Sequence, residues 1–415
     1  MSTLVAALDA LAVLGGLGLL LAAGNYLYVL GCYFLSQPPW SPPVVRLADP
    51  PHVLLQIPLY NEPRVAEGAV LAAAALDWPR ERLHIQILDD STDETAGIAG
   101  AAVARLRAAG HDIAHVRRDN RAGFKAGALA AGLQRSDAPF VAMLDADFRA
   151  PADWLHATVG ALLRDPAASF VQSRIDFANG GLNTLTRAQQ LMMDGHFLIE
   201  QGARAARGVP LQANGTATVW RREAIDAGGG WSGDTLAEDL DLALRVYLAG
   251  GHGLFLANPA PRGEVPANAR DWRTQQSRWA SGFAQVARKL LAEILRSGMR
   301  AEAKISAGLM VMTQIFFPAL VLTLVAVGAG SILRGGIDTY VPGLLMGVTV
   351  MLVVLLGMTL PPYLALRRGG PGRYALTVLS LPLMMARLAF ANALDILTAS
   401  FGRQRGFVVT PKQGI

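Results

Sequence analysis

The sequence predicts an α/β domain with a doubly wound, parallel sheet, set between apolar helices long enough to cross a membrane. Two observations support this prediction. Charged residues are missing between Asp9 and Arg46, and again between Lys304 and Arg334. In the charged middle of the chain, short apolar strands alternate with helical patterns, which is typical of a sheet whose strands are joined by crossover helices.

The composition excludes several classes of protein. Of the 415 residues, 52% are hydrophobic and only 17% are charged, against about 25% in a typical soluble domain. This balance excludes disorder, collagen and a highly charged coiled coil, and disfavours a fully soluble enzyme. A single cysteine, Cys32, excludes an internal disulfide and a cysteine zinc cluster.

The net charge of +5 is compatible with nucleic acid, a membrane surface or an anionic substrate. Arg and Lys do not form one stripe interleaved with aromatic residues, so we expect no nucleic-acid partner. We instead attribute the excess to basic residues at a membrane surface and in a cleft that binds an anion.

The apolar segments predict the membrane topology. Residues 1–36 form one transmembrane helix, and no basic residues precede it as they would in a cleaved signal peptide. Residues 37–51 form a proline-rich linker, and residues 52–300 form the cytosolic domain. Residues 301–366 form a helical hairpin with a short connection. We therefore expect a multi-pass protein of the cytoplasmic (inner) membrane whose charged middle domain faces the cytosol.

Residues 367–402 are harder to place, because the apolar run contains Arg387 and Asp395. A charge at the bilayer centre costs about 2.5–3.5 kcal/mol on insertion scales. Basic residues flank this segment on both sides, which favours the cytosolic side for both ends. We predict an interfacial or re-entrant helix. The alternative is a fourth span with a buried Arg387–Asp395 pair. Residues 403–415 form a tail.

Acidic residues follow three of the predicted strands. The strand beginning at His52 leads to Tyr60 and Glu62, and the strand Leu83–Asp89 ends in Asp89 and Asp90. The strand Phe140–Leu144 is followed by Asp145 and Asp147. Ligands of parallel sheets bind at the carboxyl ends of strands, so we expect these side chains to converge on one cleft.

A divalent cation can bridge such carboxylates to a diphosphate. The Asp-x-Asp pair therefore predicts a Mg²⁺ or Mn²⁺ site, and Lys125 is placed to neutralise a phosphate. Capping of the following helix is the alternative for Asp89 and Asp90.

Two helices of the domain carry further candidates. Glu238 and Asp239 open a predicted helix, either as acids favoured by its dipole or as a general base over the cleft. Gln275, Arg278 and Trp279 lie on one face of the last helix before the hairpin. Arg can bind phosphate through two hydrogen bonds, and Trp can stack on a sugar ring. A surface Arg and a core Trp are the alternative.

The order of these motifs resembles the membrane-integrated inverting glycosyltransferases of family 2, the class of the cellulose and hyaluronan synthases. The resemblance is greatest to the plant cellulose-synthase-like mannan and glucomannan synthases. It covers about residues 52–290 and the tail Phe407–Lys412, which is similar to the gating loop of cellulose synthases. The stretches that carry it are Gln56–Glu62, Ile85–Asp93, Arg118–Leu129, Asp145–Phe148 and Asn214–Arg221.

The resemblance implies a GT-A (Rossmann-like) fold and a role for each matching residue. The donor nucleotide would be held by Tyr60, Glu62 and Asp89 or Asp90. The diphosphate would be contacted by Lys125, Asp145, Gln275 and Arg278, and the metal by Asp147 with Asp145. The acceptor site would be lined by Asn214, Gly215, Thr216 and Trp279. Asp239 would be the general base, with Glu238 beside it, and Phe407, Thr410 and Lys412 would close over the nucleotide.

The implied reaction moves a hexose from GDP-mannose or UDP-glucose to a growing β-1,4-linked polysaccharide. The alternative is transfer of one sugar to a lipid, as in ceramide glucosyltransferase-like enzymes. The implied partners are therefore a nucleotide-diphosphate sugar, a glycan or lipid acceptor, and membrane lipids, with a homo-oligomer or partner subunits left open. A non-catalytic nucleotide-binding subunit and a transporter are the rival classes.

The sequence departs from the family pattern in three respects. Ala237-Glu238-Asp239 replaces the usual Thr-Glu-Asp, which keeps the base and loses one hydroxyl. The chain ends soon after the gating-loop match, where related synthases continue into further spans. Three predicted crossings are few for a sugar-lined pore within one subunit, which disfavours secretion of polymer through this chain alone.

Overall fold

A computed structural model describes residues 2–36, 41–402 and 410–414. The helices, in chain order, are α1 (Ser2–Leu35), α2 (Pro63–Ala74), α3 (Thr95–Ala108), α4 (Phe124–Leu133), α5 (Trp154–Arg164), α6 (Thr184–Gly195), α7 (Gly202–Arg207), α8 (Arg222–Ala227), α9 (Glu238–Leu248), α10 (Ala269–Arg296), α11 (Ala301–Met312), α12 (Phe316–Arg334), α13 (Val341–Leu366) and α14 (Pro371–Ser400). A π-helix, His196–Gln201, lies between α6 and α7.

The strands are β1 (Val53–Leu59), β2 (Leu83–Asp89), β3 (Ile113–Arg117), β4 (Phe140–Met143), β5 (Phe170–Ser173), β6 (Asp176–Phe177), β7 (Thr218–Arg221), β8 (Gly253–Leu256) and β9 (Arg262–Gly263). Seven of them form one sheet in the order β3-β2-β1-β4-β7-β5-β8, and β6 pairs with β9 in a small second sheet. The predicted strands Leu83–Asp89 and Ile113–Arg117 have the predicted bounds.

The sheet is mixed, so the prediction of an entirely parallel sheet is wrong at one strand. Strands β3, β2, β1 and β4 are parallel, as predicted. Strand β7 runs antiparallel to both β4 and β5. The chain enters β7 from a loop at the edge where the parallel strands end. A parallel strand would have to begin at the opposite edge of the sheet, which the chain reaches through a crossover connection. Consequently, the amino end of β7 meets the carboxyl ends of β1, β2 and β4.

Helices cover both faces of the sheet and bury its central strands. Adjacent residues of a strand point to opposite faces, and Leu54, Leu55, Ile87 and Leu88 of β1 and β2 are all at most 2% exposed. The glutamines of these strands are buried as well, and Gln56 donates to Oε1 of Gln86 at 3.1 Å. The core rests on large side chains such as Trp220, whose ring stacks on Phe170 at 4.3 Å between centroids.

Among the residues that the structure describes, four helical segments are long and apolar enough to cross a membrane, by length and composition: α1, the run Ala301–Arg334 formed by α11 and α12, α13, and α14. Two clusters mark the opposite ends of α1. Near its start, Asp9 accepts a hydrogen bond from the hydroxyl of Tyr340 at 2.8 Å. Nearer its end, Asn25 donates to Glu200 of the π-helix at 3.1 Å. The second end of α1 therefore lies against the α/β domain.

Helix α14 contacts the α/β domain along its length. Its first half packs on α6 through Val378 and Leu381, and its second half packs on α10 and on Phe317 of α12. Asp395 is buried and accepts a hydrogen bond from Ser277 of α10, whereas Arg387 is exposed. The buried Arg387–Asp395 pair of the four-span alternative is therefore not formed. The interfacial placement itself stays a prediction.

If α14 lies in the interface, both of its ends face the same side of the membrane. We expect single cysteines placed at Gly372 and Gly402, in a Cys32→Ser background, to react with a membrane-impermeant thiol reagent from the same side of sealed vesicles. A cysteine at Gly335, after α12, serves as the matched control and reacts from the opposite side. Labelling of Gly372→Cys and Gly402→Cys from opposite sides would establish a transmembrane α14.

Candidate active site

A cavity of about 570 Å³ lies at the carboxyl edge of the sheet and continues down to the membrane helices. Loops after β1, β2 and β4, the loop before β7, the first turn of α9, one face of α10 and the described part of the tail all contribute to it. The predicted site residues that line it are Tyr60, Glu62, Asp90, Lys125, Asp145, Asp147, Asn214, Gly215, Thr216, Glu238, Asp239, Gln275, Arg278, Trp279, Thr410 and Lys412.

Lys125 lies at the centre of this cavity. Its ammonium donates to Oδ1 of Asp145 at 2.5 Å and to the carbonyl oxygen of Gly215 at 2.7 Å. Glu238 Oε1 lies 3.7 Å from the same nitrogen. Burial alone would lower the pKa of Lys125, but the charges of Asp145 and Glu238 raise it above its usual range. Lys125 therefore stays charged and joins the strand edge, the loop before β7 and α9.

Asp239 is half-buried in the first turn of α9. A Cβ atom at Gly215 would lie only 3.1 Å from Oδ2 of Asp239, so the loop passes directly over the carboxylate. Gly215 has a φ of +70°, a conformation that also favours glycine. Burial, and then the charge of Glu238, raise the pKa of Asp239 to about 7, although Lys125 acts in the opposite direction. This value suits a group that must accept a proton near neutral pH.

The Asp-x-Asp pair is engaged by two lysines. Asp145 is bound by Lys125, and Oδ2 of Asp147 accepts from Lys412 of the tail at 2.6 Å. The backbone N–H of Glu264 also donates to Asp147, at 3.1 Å. The carboxylate oxygens of Asp145 and Asp147 are the ligand type that Mg²⁺ and Mn²⁺ prefer. In the described part of the chain no three acidic, histidine or cysteine side chains form a ligand cluster, so further ligands would come from the substrate and water.

The part of the cavity lined by Tyr60 and Asp90 contains a residue that the sequence prediction missed. The guanidinium of Arg121 stacks on the ring of Tyr60, 3.3 Å from its centroid. Nearby, Arg118 Nε donates to Asp90 at 2.9 Å. Arg121 lies within the Arg118–Leu129 motif, but a cation–π contact has no sequence signature. Burial, and then the charge of Asp147, raise the pKa of Glu62 to about 8.

Of the two candidates that end β2, only Asp90 lines the cavity. The side chain of Asp89 is fully buried behind the cavity wall. Its Oδ2 contacts Nε2 of His115 at 2.8 Å, and its Oδ1 accepts from the backbone of Ser91 at 2.8 Å. Asp89 therefore fixes the end of β2, and this position does not support its predicted contact with the donor. Neither aspartate caps α3, whose N-cap residue is Glu94.

The acceptor candidates Asn214, Gly215 and Thr216 are held by buried amides that the sequence did not single out. Gln172 of β5 accepts from the backbone of Asn214 at 2.9 Å and donates to the carbonyl of Thr216 at 3.1 Å. The hydroxyl of Thr216 accepts a hydrogen bond from the backbone N–H of Asp145 at 3.0 Å. This bond joins the loop before β7 to the Asp-x-Asp loop.

A second missed group is the π-helix His196–Gln201. His196 and Glu200 both line the cavity. Nε2 of His196 lies 3.0 Å from the side-chain nitrogen of Asn214, and its Nδ1 lies 2.9 Å from Glu200. Glu200 also binds Arg204 at 3.1 Å and Asn25 of α1. A continuous chain of hydrogen bonds therefore connects α1 to the loop before β7.

Helix α10 supplies the last wall, with Gln275, Arg278 and Trp279 on its cavity face. Arg278 is half-buried and faces the carboxylates of Glu238 and Asp145. Across from this helix, Ala237 occupies the N-cap of α9 without a side-chain hydrogen bond. A Cβ atom at Gly282 of α10 would lie 2.9 Å from the Cβ of Ala237. At position 237, where the related family usually has a threonine, the alanine side chain therefore packs closely against α10.

The described part of the tail covers the cavity mouth. Thr410 is 3% exposed, Lys412 binds Asp147, and the backbone of Gln413 donates to Glu264 at 2.8 Å. Phe407, the remaining predicted tail residue, lies outside the described residues.

The fold and the motifs define a glycosyltransferase with a GT-A-like sheet. A model of the family described as glycosyl transferase family group 2 matches residues 140–388, and the chain belongs to this family.

Curated relatives refine the comparison. The chain is 40% identical over 254 residues to glucomannan 4-beta-mannosyltransferase 7 of Arabidopsis thaliana, covering 60% of this chain and 46% of the relative. It is 42% identical over 249 residues to the probable glucomannan 4-beta-mannosyltransferase 6 of Oryza sativa subsp. japonica, covering 59% of this chain and 43% of the relative. The chain thus spans slightly less than half the length of these relatives.

A solved structure confirms the fold over nearly the whole chain. The mannosyltransferase PcManGT from Pyrobaculum calidifontis, in complex with GDP-Man and Mn²⁺, matches with a TM-score of 0.63. The match covers 95% of this chain and 99% of that chain at 20% sequence identity.

The hydrogen bonds of His196 predict its effect on catalysis. We expect His196→Ala to lower the rate of sugar transfer about two- to tenfold, the value of one neutral hydrogen bond that positions Asn214. Donor affinity, measured by calorimetric titration of the nucleotide, should be unchanged, since His196 does not contact the donor end. His196→Gln should restore part of the rate.

His52→Ala is the matched control, because His52 is exposed just before β1. Equal losses of donor affinity and transfer rate in His196→Ala would indicate general damage to the fold and contradict the assignment.

Proposed function

We propose that this chain transfers a mannosyl group from GDP-mannose to an acceptor hydroxyl, with inversion at the anomeric carbon and Asp239 as the general base. The observation that carries the proposal is the position of Asp239, half-buried in the cavity with Lys125 and Arg278, where burial and the charge of Glu238 raise its pKa to about 7. Support for the donor comes from the names of the relatives, which are 4-beta-mannosyltransferases, and from the GDP-Man bound to PcManGT. UDP-glucose is the competing donor.

The reaction is a single displacement. Asp239 removes the proton from the acceptor hydroxyl as this oxygen attacks the anomeric carbon, and the bond to the diphosphate breaks on the opposite face. An α-linked donor then gives a β-linked product. The cationic side chains of Lys125 and Arg278 stabilise the negative charge that develops on the leaving diphosphate. Lys412 adds a third positive charge from the tail.

Asp145 and Asp147 would hold a divalent cation, Mg²⁺ or Mn²⁺, and this cation would neutralise charge on the diphosphate. The Mn²⁺ in PcManGT favours this assignment. Tyr60, Glu62 and Asp90, together with Arg121, would bind the nucleoside. Asn214, Gly215 and Trp279 would orient the acceptor.

The acceptor has two candidates. A β-1,4-linked glycan follows from the names of the relatives. The lower cavity favours a lipid acceptor, because apolar side chains of the membrane helices line it. They are Met310, Phe316, Phe317, Val354, Leu355, Met358, Leu381 and Met385. Such a surface binds a hydrocarbon chain well and offers few hydrogen bonds to a sugar polymer.

Replacing the base tests the mechanism. We expect Asp239→Asn to lower turnover by about 10²–10⁴-fold, the contribution of general base catalysis. Donor binding should remain within a few-fold, because the carboxylate contacts the acceptor side. The readout is nucleotide release with saturating donor and acceptor. Asp226→Asn, at an exposed position of α8, is the control. Wild-type turnover in Asp239→Asn would show that the base is another group.

The pH profile tests the same residue independently. A general base acts only when deprotonated, and the pKa of Asp239 is about 7 instead of the ordinary 3.8. We therefore expect kcat/KM to fall tenfold per pH unit below about 7 and to level off above it. A rate that stays constant down to pH 5 would contradict the assignment.

The product distinguishes the two acceptors. The purified chain is incubated with radiolabelled GDP-mannose in lipid vesicles, and the product is partitioned between chloroform–methanol and water. A lipid acceptor gives extractable product, which Met358→Trp should reduce at least tenfold by filling the lower cavity. Met351→Trp, on the exposed face of α13, is the control. A water-retained product that endo-β-mannanase digests would identify the glycan acceptor.

A further inference from the structure

A second cavity of about 280 Å³ lies outside the candidate active site, where the α/β domain meets the connection between α13 and α14. Four arginines from separate parts of the fold line it: Arg187, Arg262, Arg368 and Arg373. Asp194 is the only acidic residue among the lining residues that the structure describes. No predicted site residue lies in this cavity.

The positive charges of this cavity exceed the negative charges that contact them. Arg368 binds Asp176 at 2.7 Å and Asp194 at 3.0 Å. Arg262 shares Asp176, at 3.6 Å. Two carboxylates therefore neutralise two of the four guanidinium groups.

The other two arginines have no carboxylate within ion-pair distance among the described residues. Arg187 donates to the carbonyl of Gly181 at 3.3 Å and to the hydroxyl of Thr184 at 2.9 Å. Arg373 is exposed in the first turn of α14. The cavity thus has an excess of two positive charges, and guanidinium groups bind phosphate oxygens in pairs.

The surroundings of the cavity are those of a membrane interface. Tyr363, near the end of α13, stacks on Tyr374, near the start of α14, at 4.2 Å between ring centroids. Leu182, beside the cavity, and Leu376 of α14 are 58% and 69% exposed. Tyrosines, exposed leucines and arginines meet in this way at the level of lipid headgroups.

A buried polar group also faces the cavity. Gln190 of α6 is 4% exposed and lines the cavity. Its side-chain nitrogen donates to Asp194 at 2.9 Å. Its Oε1 has no hydrogen-bond donor among the described residues, which is costly for a buried acceptor. A ligand that offers both a phosphate and a hydroxyl would satisfy the arginines and this oxygen together.

We propose that this cavity binds the phosphate of an anionic membrane lipid, with Arg187 and Arg373 as its main ligands. The lipid connects α6 and the β6–β9 pair of the α/β domain to the membrane helices α13 and α14. Its headgroup fills the 280 Å³ cavity, and its acyl chains lie along the exposed leucines of α14. The site is separate from the proposed transferase site, so it does not depend on the identity of the donor or the acceptor.

The test measures lipid binding to the purified full chain. Phosphatidylglycerol, phosphatidylcholine and inorganic phosphate are titrated separately in neutral detergent, and bound lipid is counted by native mass spectrometry. We expect phosphatidylglycerol to bind at least tenfold more tightly than phosphatidylcholine. Arg187→Ala combined with Arg373→Ala should remove this preference, since each lost charged hydrogen bond costs about tenfold or more. Arg107→Ala, on the exposed end of α3, should leave it unchanged.

Arg373→Ala alone keeps the test valid if the double variant fails to fold, because Arg373 is exposed and has no described partner. It should weaken phosphatidylglycerol binding several-fold. Two outcomes would overturn the proposal. In one, the variants bind phosphatidylglycerol as tightly as the wild type does. In the other, inorganic phosphate binds at the same concentration as phosphatidylglycerol, which would make the cavity a site for a soluble phosphate.

Discussion

The ammonium of Lys125 is the interaction on which the rest of the site depends. It binds Asp145 after β4, the carbonyl of Gly215 before β7, and lies within ion-pair distance of Glu238 in α9. Three elements that are far apart in sequence are thereby fixed around one buried positive charge. Without it, the carboxylates of Asp145, Glu238 and Asp239 would repel one another in a poorly solvated cleft. In the proposed reaction, the same ammonium would also bind the diphosphate. One side chain would therefore hold the site together and stabilise the leaving group.

The antiparallel strand β7 gives this arrangement its geometry. Because β7 starts at the edge where β1, β2 and β4 end, the loop before β7 passes directly over Asp239. The π-helix then ties this loop to α1 through His196, Glu200 and Asn25. Burial tends to raise the pKa of Glu200, but the hydrogen bond from His196 and the charge of Arg204 lower it to about 2. Glu200 therefore stays charged, and the network connects α1 to the loop before β7.

The parts of this structure that follow from local pattern could be predicted from sequence. The strand Leu83–Asp89 is rich in leucine and isoleucine and ends in an aspartate, and Asp145-Ala-Asp147 follows a strand, so both the sheet and the edge where the site lies were predictable. The family resemblance, which rests on ordered motifs, also identified the fold and the enzyme class. The direction of β7 was not predictable, because a four-residue strand carries no signal for its orientation.

Residues that act through tertiary contacts were also beyond the sequence. Nothing in the adjacent pair Asp89-Asp90 indicates which of them faces the cavity, since this depends on whether His115 of the neighbouring strand can reach it. His196 and Glu200 of the π-helix and Gln172 of β5 come together from two separate segments and share no motif. The arginines of the second cavity are scattered over almost 190 positions of the chain, from Arg187 to Arg373, so only the fold reveals their common site.

The stereochemistry of the first product tests the central claim most directly. With an α-linked donor such as GDP-mannose, proton NMR of the product formed in the first turnovers reports the configuration of the new glycosidic bond. A single displacement assisted by Asp239 predicts a β-linkage from the first product onward. An α-linked first product would require a different mechanism and would contradict the role of Asp239.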